Sequence, residues 1–197
     1  MSKPFSESSE QNKHVILNVL RDVFVQPGKV LEVGSGTGQH AVFFAEALSH
    51  LQWQPSDCEE NLSGIQAWLD DEPQDNVLPL QALDVEQSVW PVKDAQYIFS
   101  ANTVHIMSWT AVQAFFTGLA ETLNSEGVFA LYGPFNYNGQ YSSDSNARFD
   151  QWLKQRDPLS GIRDFDDLNR LAKQAGMEFV NDYKMPVNNR ILVWKKN

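Results

Sequence analysis

The sequence predicts an α/β fold built on a doubly wound, mostly parallel sheet with helices on both faces. Three observations predict it. Short apolar runs alternate with amphipathic stretches, a glycine-rich turn follows the first run, and acidic residues stand at the ends of the next two. Such alternation specifies parallel strands joined by crossover helices.

The elements follow in order. Residues 1–9 are polar and are expected to be mobile. Residues 10–24 place Val15, Ile16, Val19, Leu20 and Val23 at helical spacing, and Pro27 with Gly28 ends that segment. Residues 29–33 are apolar and β-branched with glycines behind them, the pattern of a buried strand entering a tight turn. A helix over 39–48 keeps Ala41, Phe44, Ala45 and Leu48 on one face. Strands are predicted over 51–55, 76–80, 95–101 and 127–132, with helices over 61–69 and 109–123. Residues 133–145, rich in Gly, Asn, Ser and Tyr, read as a loop. Helices follow over 146–155 and 165–175, the second capped by Asp164 with Asp167 in its first turn. Strands over 178–183 and 190–194 close the chain as an antiparallel pair and complete a seven-stranded sheet. No repeat or linker divides residues 1–197, so one domain is expected.

Composition narrows the function classes. The apolar share, 42%, suffices for one well-buried core. A net charge of −10 repels phosphate backbones and anionic lipid, so neither nucleic acid nor membrane is an expected partner. Cys58 is the one cysteine, so no internal disulfide and no cysteine-based zinc cage can form. No His, Cys and Asp cluster falls at ligand spacing, and no metal is expected. The start of the chain lacks an apolar signal core, and no run approaches the roughly 18–20 apolar residues of a membrane span. A soluble cytoplasmic protein is expected, and its oligomeric state is not readable.

The glycine turn carries the chemistry. Gly34, Gly36 and Gly38 lie between a strand and a helix, where glycine lets the backbone approach a ligand and the helix start offers free N–H groups. A merely tight connection would use the same glycines. A dinucleotide fingerprint requires a small residue at the sixth position, which here is Gln39. Glu32, inside the strand, suits a cationic group better than a pyrophosphate.

The segment Val30-Leu-Glu-Val-Gly-Ser-Gly-Thr-Gly38 resembles the first motif of class I S-adenosylmethionine-dependent methyltransferases. That resemblance implies a Rossmann-like methyltransferase fold, with S-adenosylmethionine as cofactor and S-adenosylhomocysteine as product. It places Glu32, Gly34, Ser35, Gly36 and Gly38 around the methionine part. Asp57 would hold the ribose hydroxyls, as an acidic residue after the second strand can. An ordinary cap or turn is its alternative, and Glu59 and Glu60 are rivals. Asp84 would accept from the adenine amino group with Val85 against the ring, unless Asp84 is a solvated loop residue.

A narrower resemblance, to the methyltransferase-like protein 26 family, covers almost the whole chain. It is carried by Ser9-Glu-Gln-Asn-Lys13, Gly36-Thr-Gly-Gln-His40, Leu51-Gln-Trp-Gln-Pro-Ser-Asp57, Ala101-Asn102 with His105, Leu131-Tyr-Gly-Pro-Phe135, Ser145-Asn-Ala147, Gly161-Ile-Arg-Asp164 and Met185-Pro with Asn188-Asn189. Gln11 departs from the family, where a basic residue is expected. The resemblance implies a fold and a cofactor but no substrate.

Methyl transfer from a sulfonium is an in-line displacement in which positioning supplies much of the rate. A base is needed only where the acceptor must lose a proton. Asn102, His105 and Tyr132 are the catalytic candidates, with Phe135 as a wall. His105 can be the base or a packed histidine. Asn102 can orient an acceptor amine or the cofactor, or simply form a turn. Tyr132 and Phe135 can line a pocket or belong to the core. Asn188, Asn189 and Arg163 can close the mouth, and Arg163 can bind an acidic group or pair with a neighbouring Asp. Ser35 does not sit in a nucleophile elbow. The expectation is a methyltransferase acting on an unidentified small molecule or protein side chain. A catalytically silent cofactor-binding domain is one alternative. An NAD-dependent oxidoreductase is the other, opposed by Gln39 and Glu32.

Overall fold

The computed structural model describes residues 3–197. In chain order its elements are α1 (Glu7–Val23), β1 (Gly28–Val33), α2 (Gln39–Ala47), β2 (Leu51–Asp57), α3 (Leu62–Asp71), β3 (Gln81–Ala82), β4 (Ala95–Ala101), α4 (Trp109–Thr122) and β5 (Leu123–Gly133). They continue with β6 (Phe135–Asn136), α5 (Asp144–Arg156), β7 (Arg163–Asp164), α6 (Phe165–Gln174), β8 (Met177–Lys184) and β9 (Arg190–Lys196). Seven strands make one sheet in the order β3-β2-β1-β4-β5-β9-β8. Its first five strands are parallel, and β9 runs antiparallel to both β5 and β8. This is the predicted doubly wound sheet with its antiparallel closing pair.

Side-chain alternation builds a core on each face. Leu31, Ile98, Phe129, Leu131 and Leu192 point one way, toward Phe115, Leu119 and Leu168 of α4 and α6. Val30, Phe99, Ala130 and Val193 point the other way, toward Ile16, Leu20, Ala41 and Phe44 of α1 and α2.

Four expectations need correction. The first helix starts earlier than residue 10, inside the stretch expected to be mobile: Ser6 caps α1 through a bond from Ser9 N to its Oγ, and Glu7 already lies in the helix. Residues 1 and 2 of that stretch lie outside the described residues. The third strand is shifted: Val77 makes only an isolated bridge to Trp53, and regular pairing begins at Gln81. Pro79 lacks the N–H that a ladder through 76–80 would use. The fifth strand starts earlier, at Leu123, across a register shift opposite Ala95 and Tyr97 with Glu126 at φ 62°. The 133–145 loop contains β6, which pairs with β7 in a two-strand ladder of its own. Asp164 caps α6 as expected, accepting from Asp166 N.

Candidate active site

Strand order reverses between β1 and β4. The chain leaves β1 toward β2 and β3, then returns to β4 on the other side. Ligands of such sheets bind beyond the carboxyl ends of the strands at that reversal. The glycine turn follows β1 there. Gly34 has φ +78°, and a Cβ on it would lie 2.5 Å from Thr103 Cγ2, so the β4 side packs directly on its backbone. Gly38, at φ +94°, opens α2 against the backbone of Ile65. The turn is tied to the end of β2: Gly34 N and Ser35 N both donate to Ser56 O, and Gly36 N donates to Asp57 Oδ2 at 2.7 Å.

A cavity of about 930 Å³ opens at this point. Gly34, Ser35, Gly36, Asp57, Asp84, Val85 and Asn102, all named from the sequence, line it. Asp57 is held firmly, its Oδ1 accepting from Cys58 N and Asn61 Nδ2, each at 2.8 Å. Asp84 is exposed, with Glu86 N on its Oδ1, and Val85 is buried beside it. The wall also carries Glu60 and Glu86, whereas no Lys or Arg among the described residues lines it. A cation therefore enters more favourably than an anion.

Glu32 and Gly38 do not line the cavity, contrary to expectation. Glu32 is buried behind the turn, where Ser35 Oγ and Trp53 Nε1 both donate to its Oε2 at 2.8 and 3.1 Å. Burial pushes its carboxyl up to about 7, against the two donors that pull it down. Gly38 is covered by α3. Sequence reading missed His40 on the wall, an imidazole bonded to Asn12 Oδ1 at 2.8 Å and pushed down to about 4 by burial. It also missed residues 4, 6, 8 and 9, which form part of the wall from far away in sequence. The signal for the last was Ser6, followed by acidic residues in a first helical turn.

The catalytic candidates divide. Asn102 stays at the wall, in a left-handed conformation at φ 60° with its N–H on Tyr132 O. His105 does not reach the cavity. It is buried against Phe149 with ring centroids 5.3 Å apart, its Nδ1 has no hydrogen-bond partner, and burial lowers it to about 4. Tyr132 is also withdrawn, because β5 alternation points it into the α1 core, where burial raises the phenol and Asn12 and Asn189 pull it back. Phe135 is fully buried on the opposite face. Arg163 neither faces the cavity nor pairs with an acid. Its guanidinium donates to the carbonyls of Val104, Met107 and Leu159. Asn188 and Asn146 tie the 186–189 turn to the start of α5. Among the described residues, no group of three or more His, Cys, Asp or Glu is placed to hold a metal ion, and no helix is long and apolar enough to cross a membrane.

The fold is similar to that of solved S-adenosylmethionine-dependent methyltransferases. The apo crystal structure of the S-adenosylmethionine-dependent methyltransferase SibL aligns at a TM-score of 0.80 and 18% identity, over 96% of this chain and 55% of that one. The mitomycin 7-O-methyltransferase MmcR aligns at 0.82 and 11%, over 96% and 54%. Human N-acetylserotonin methyltransferase, solved in complex with S-adenosylmethionine, aligns at 0.80 and 15%, over 97% and 53%. At these identities the likeness is one of fold, and the chain spans about half the length of those structures. The chain belongs to the family described as "Protein of unknown function (DUF938)", which matches residues 3–196.

Proposed function

We propose that this chain is an S-adenosylmethionine-dependent methyltransferase acting on a small molecule or a protein side chain. The observation that carries the reading is the cavity at the β1–β4 reversal, walled by Asp57, Glu60, Asp84 and Glu86 without a Lys or Arg. A dinucleotide would set its pyrophosphate against those carboxylates, whereas a sulfonium with an amino group meets a favourable potential. The donor set fits. Asp57 would hold ribose hydroxyls, Asp84 the adenine amino group, Val85 the ring, and the Gly34–Gly36 turn the methionine part, with Glu32 acting from behind Ser35. When bound, the cofactor supplies an electrophilic methyl and leaves as neutral S-adenosylhomocysteine. Asn102 is the candidate best placed to orient the acceptor. The same assignment is what the sequence resemblance to the methyltransferase-like protein 26 family implies, and the fold likeness to solved methyltransferases supports it.

A second reading, a cofactor-binding domain without catalysis, is favoured by one observation. His105 and Tyr132 are packed away from the cavity. Calorimetry with S-adenosylmethionine, S-adenosylhomocysteine and NAD tests the cofactor assignment. Binding of the first two and none of NAD is expected, and NAD binding alone overturns it. Labelled methyl transfer to cell-extract fractions separates the catalytic from the silent reading.

A further inference from the structure

Residues 3–9 form one wall of the cavity although they precede the glycine turn by some thirty positions. Pro4, Ser6, Ser8 and Ser9 all line it. They are held at three points. Lys3 bonds Asp71 and Glu72 at 2.6 and 2.9 Å and lies 3.5 Å from the Trp68 ring centroid. Trp68 Nε1 donates to Pro4 O at 2.6 Å. Gln39 makes the third attachment: its Oε1 accepts from Ser6 N at 2.6 Å and its Nε2 donates to Ser6 O at 3.3 Å. Thr37 Oγ1 also donates to Gln39 Oε1, so the amide couples the glycine turn to the strap.

The three attachments differ in kind. Asp71 and Glu72 are exposed, so the Lys3 pairs are weak and screened by salt. Gln39 is 2% exposed, and its bonds are protected from water. Beyond the strap, α1 is fixed: Asn12 is bonded to His40, and Ile16 and Leu20 are fully buried. Opening is therefore confined to the segment before Asn12. Ser6 is also the cap of α1, so releasing it frays the first turn as the strap lifts.

We propose that residues 3–9 are a closing strap over the cofactor and that Gln39 is its latch, a positioning residue that sets how long the cofactor stays. This rests on the methyltransferase reading, because it needs a ligand in the cavity. It also gives a reason for a polar amide at the sixth position of the turn, where dinucleotide folds carry a small residue. Opening the strap changes the dissociation rate more than the association rate.

The test is the dissociation rate of S-adenosylhomocysteine from the full chain, by stopped-flow displacement, together with hydrogen exchange at the Ser6 and Ser9 amides. Gln39→Met keeps the volume and removes both bonds. It is expected to speed release about tenfold, the equivalent of one to two hydrogen bonds. Faster exchange at both amides should accompany it, with the melting temperature lowered by only about 2–6 °C, so that the chain stays folded at the temperature of the measurement. Lys3→Ala, a surface change that leaves the fold intact, is expected to speed release about twofold at low salt and not at high salt. Release from Gln39→Met within twofold of the unmodified chain, or unchanged exchange at Ser6 and Ser9, overturns the latch. A wild-type chain that binds neither S-adenosylmethionine nor S-adenosylhomocysteine overturns the cofactor reading instead, and the latch with it.

Discussion

The carboxyl ends of β4 and β5 are neighbours, yet one borders space and the other does not. Beyond β1 and β4 lies the 930 Å³ cavity. At the end of β5, Tyr132 and Phe135 are 3% and 0% exposed, and His105 of the β4–α4 segment, packed beside Gly133, is 5% exposed. The chain explains the contrast. After β1 and β4 it turns off sharply through Gly34 and Asn102, both with positive φ, and leaves the crevice open. After β5 it runs into the β6–β7 ladder and α5, with the 186–189 turn tied down beside them. A preformed pocket thus sits beside a packed polar cluster. A ligand fits the first without core repacking, needing only the 3–9 strap to lift, but an acceptor reaching His105 or Tyr132 must displace packed side chains. Binding is pre-organised on one side only, and the other side must pay for ordering.

The largest expected effect lies in the open half. Asp57→Ala should weaken S-adenosylmethionine binding about 100-fold or more by calorimetry, since it removes a charged acceptor. The melting temperature should fall too, because Gly36 N, Cys58 N and Asn61 Nδ2 lose their partner. Retained affinity would move the ribose subsite to Glu60. Gly34→Ala is next. A Cβ at φ +78° and 2.5 Å from Thr103 should cost about 2–4 kcal/mol, or roughly 4–16 °C in a thermal melt. A stable variant would show that the turn can relax.

The pH dependence of stability draws on both halves, His40 and Glu32 from the open one and His105 from the packed one. His40 and His105 are pushed down to about 4, so each gives stability that is present above 6.5 and lost as pH falls toward 4. Glu32 is pushed up to about 7, so its contribution is present below 4.5 and lost as pH rises toward 7. Between pH 4.5 and 6.5 two histidines oppose one carboxyl. These three groups give a net rise of stability with pH, in the direction set by the two histidines. His105→Leu should bring that rise close to zero in urea melts across the interval, and an unchanged slope would show that His105 titrates normally. The smallest effect belongs to the packed half. Tyr132→Phe should leave S-adenosylmethionine affinity within about twofold while costing about 1 kcal/mol of stability. A tenfold loss of affinity would join the two halves into one site.

The same contrast explains what could be read from the sequence. The glycines, Asp57, Asp84 and Val85 are local to strand ends, and strand ends follow from apolar periodicity, so their meeting at the reversal was legible. Glu32 was correctly seen inside its strand, but the alternation of β1 turns it under the turn toward Trp53 rather than into the cavity. His105 and Tyr132 misled for a different reason. Their burial is decided by Phe149, Asn189 and α1, segments whose packing no local pattern announces. Gln39 read only as a departure from another motif, because its partner, Ser6, lies 33 positions away. Pro79 stands in the sequence as a physical argument against a ladder through 76–80, since it has no N–H to give.

Arg163 has a consequence for the shape of the pocket. Its positive charge is spent on three carbonyl dipoles, two of which belong to the short segment between β4 and α4 that supplies Ile106 and Met107 to the cavity. A guanidinium keeps its proton throughout the range in which His40, His105 and Glu32 titrate. Neutral oxygens, unlike carboxylates, have no charge to lose on acidification. This side of the binding cavity is therefore moulded by a clamp indifferent to acidity, so its contour should persist while the electrostatics around it change.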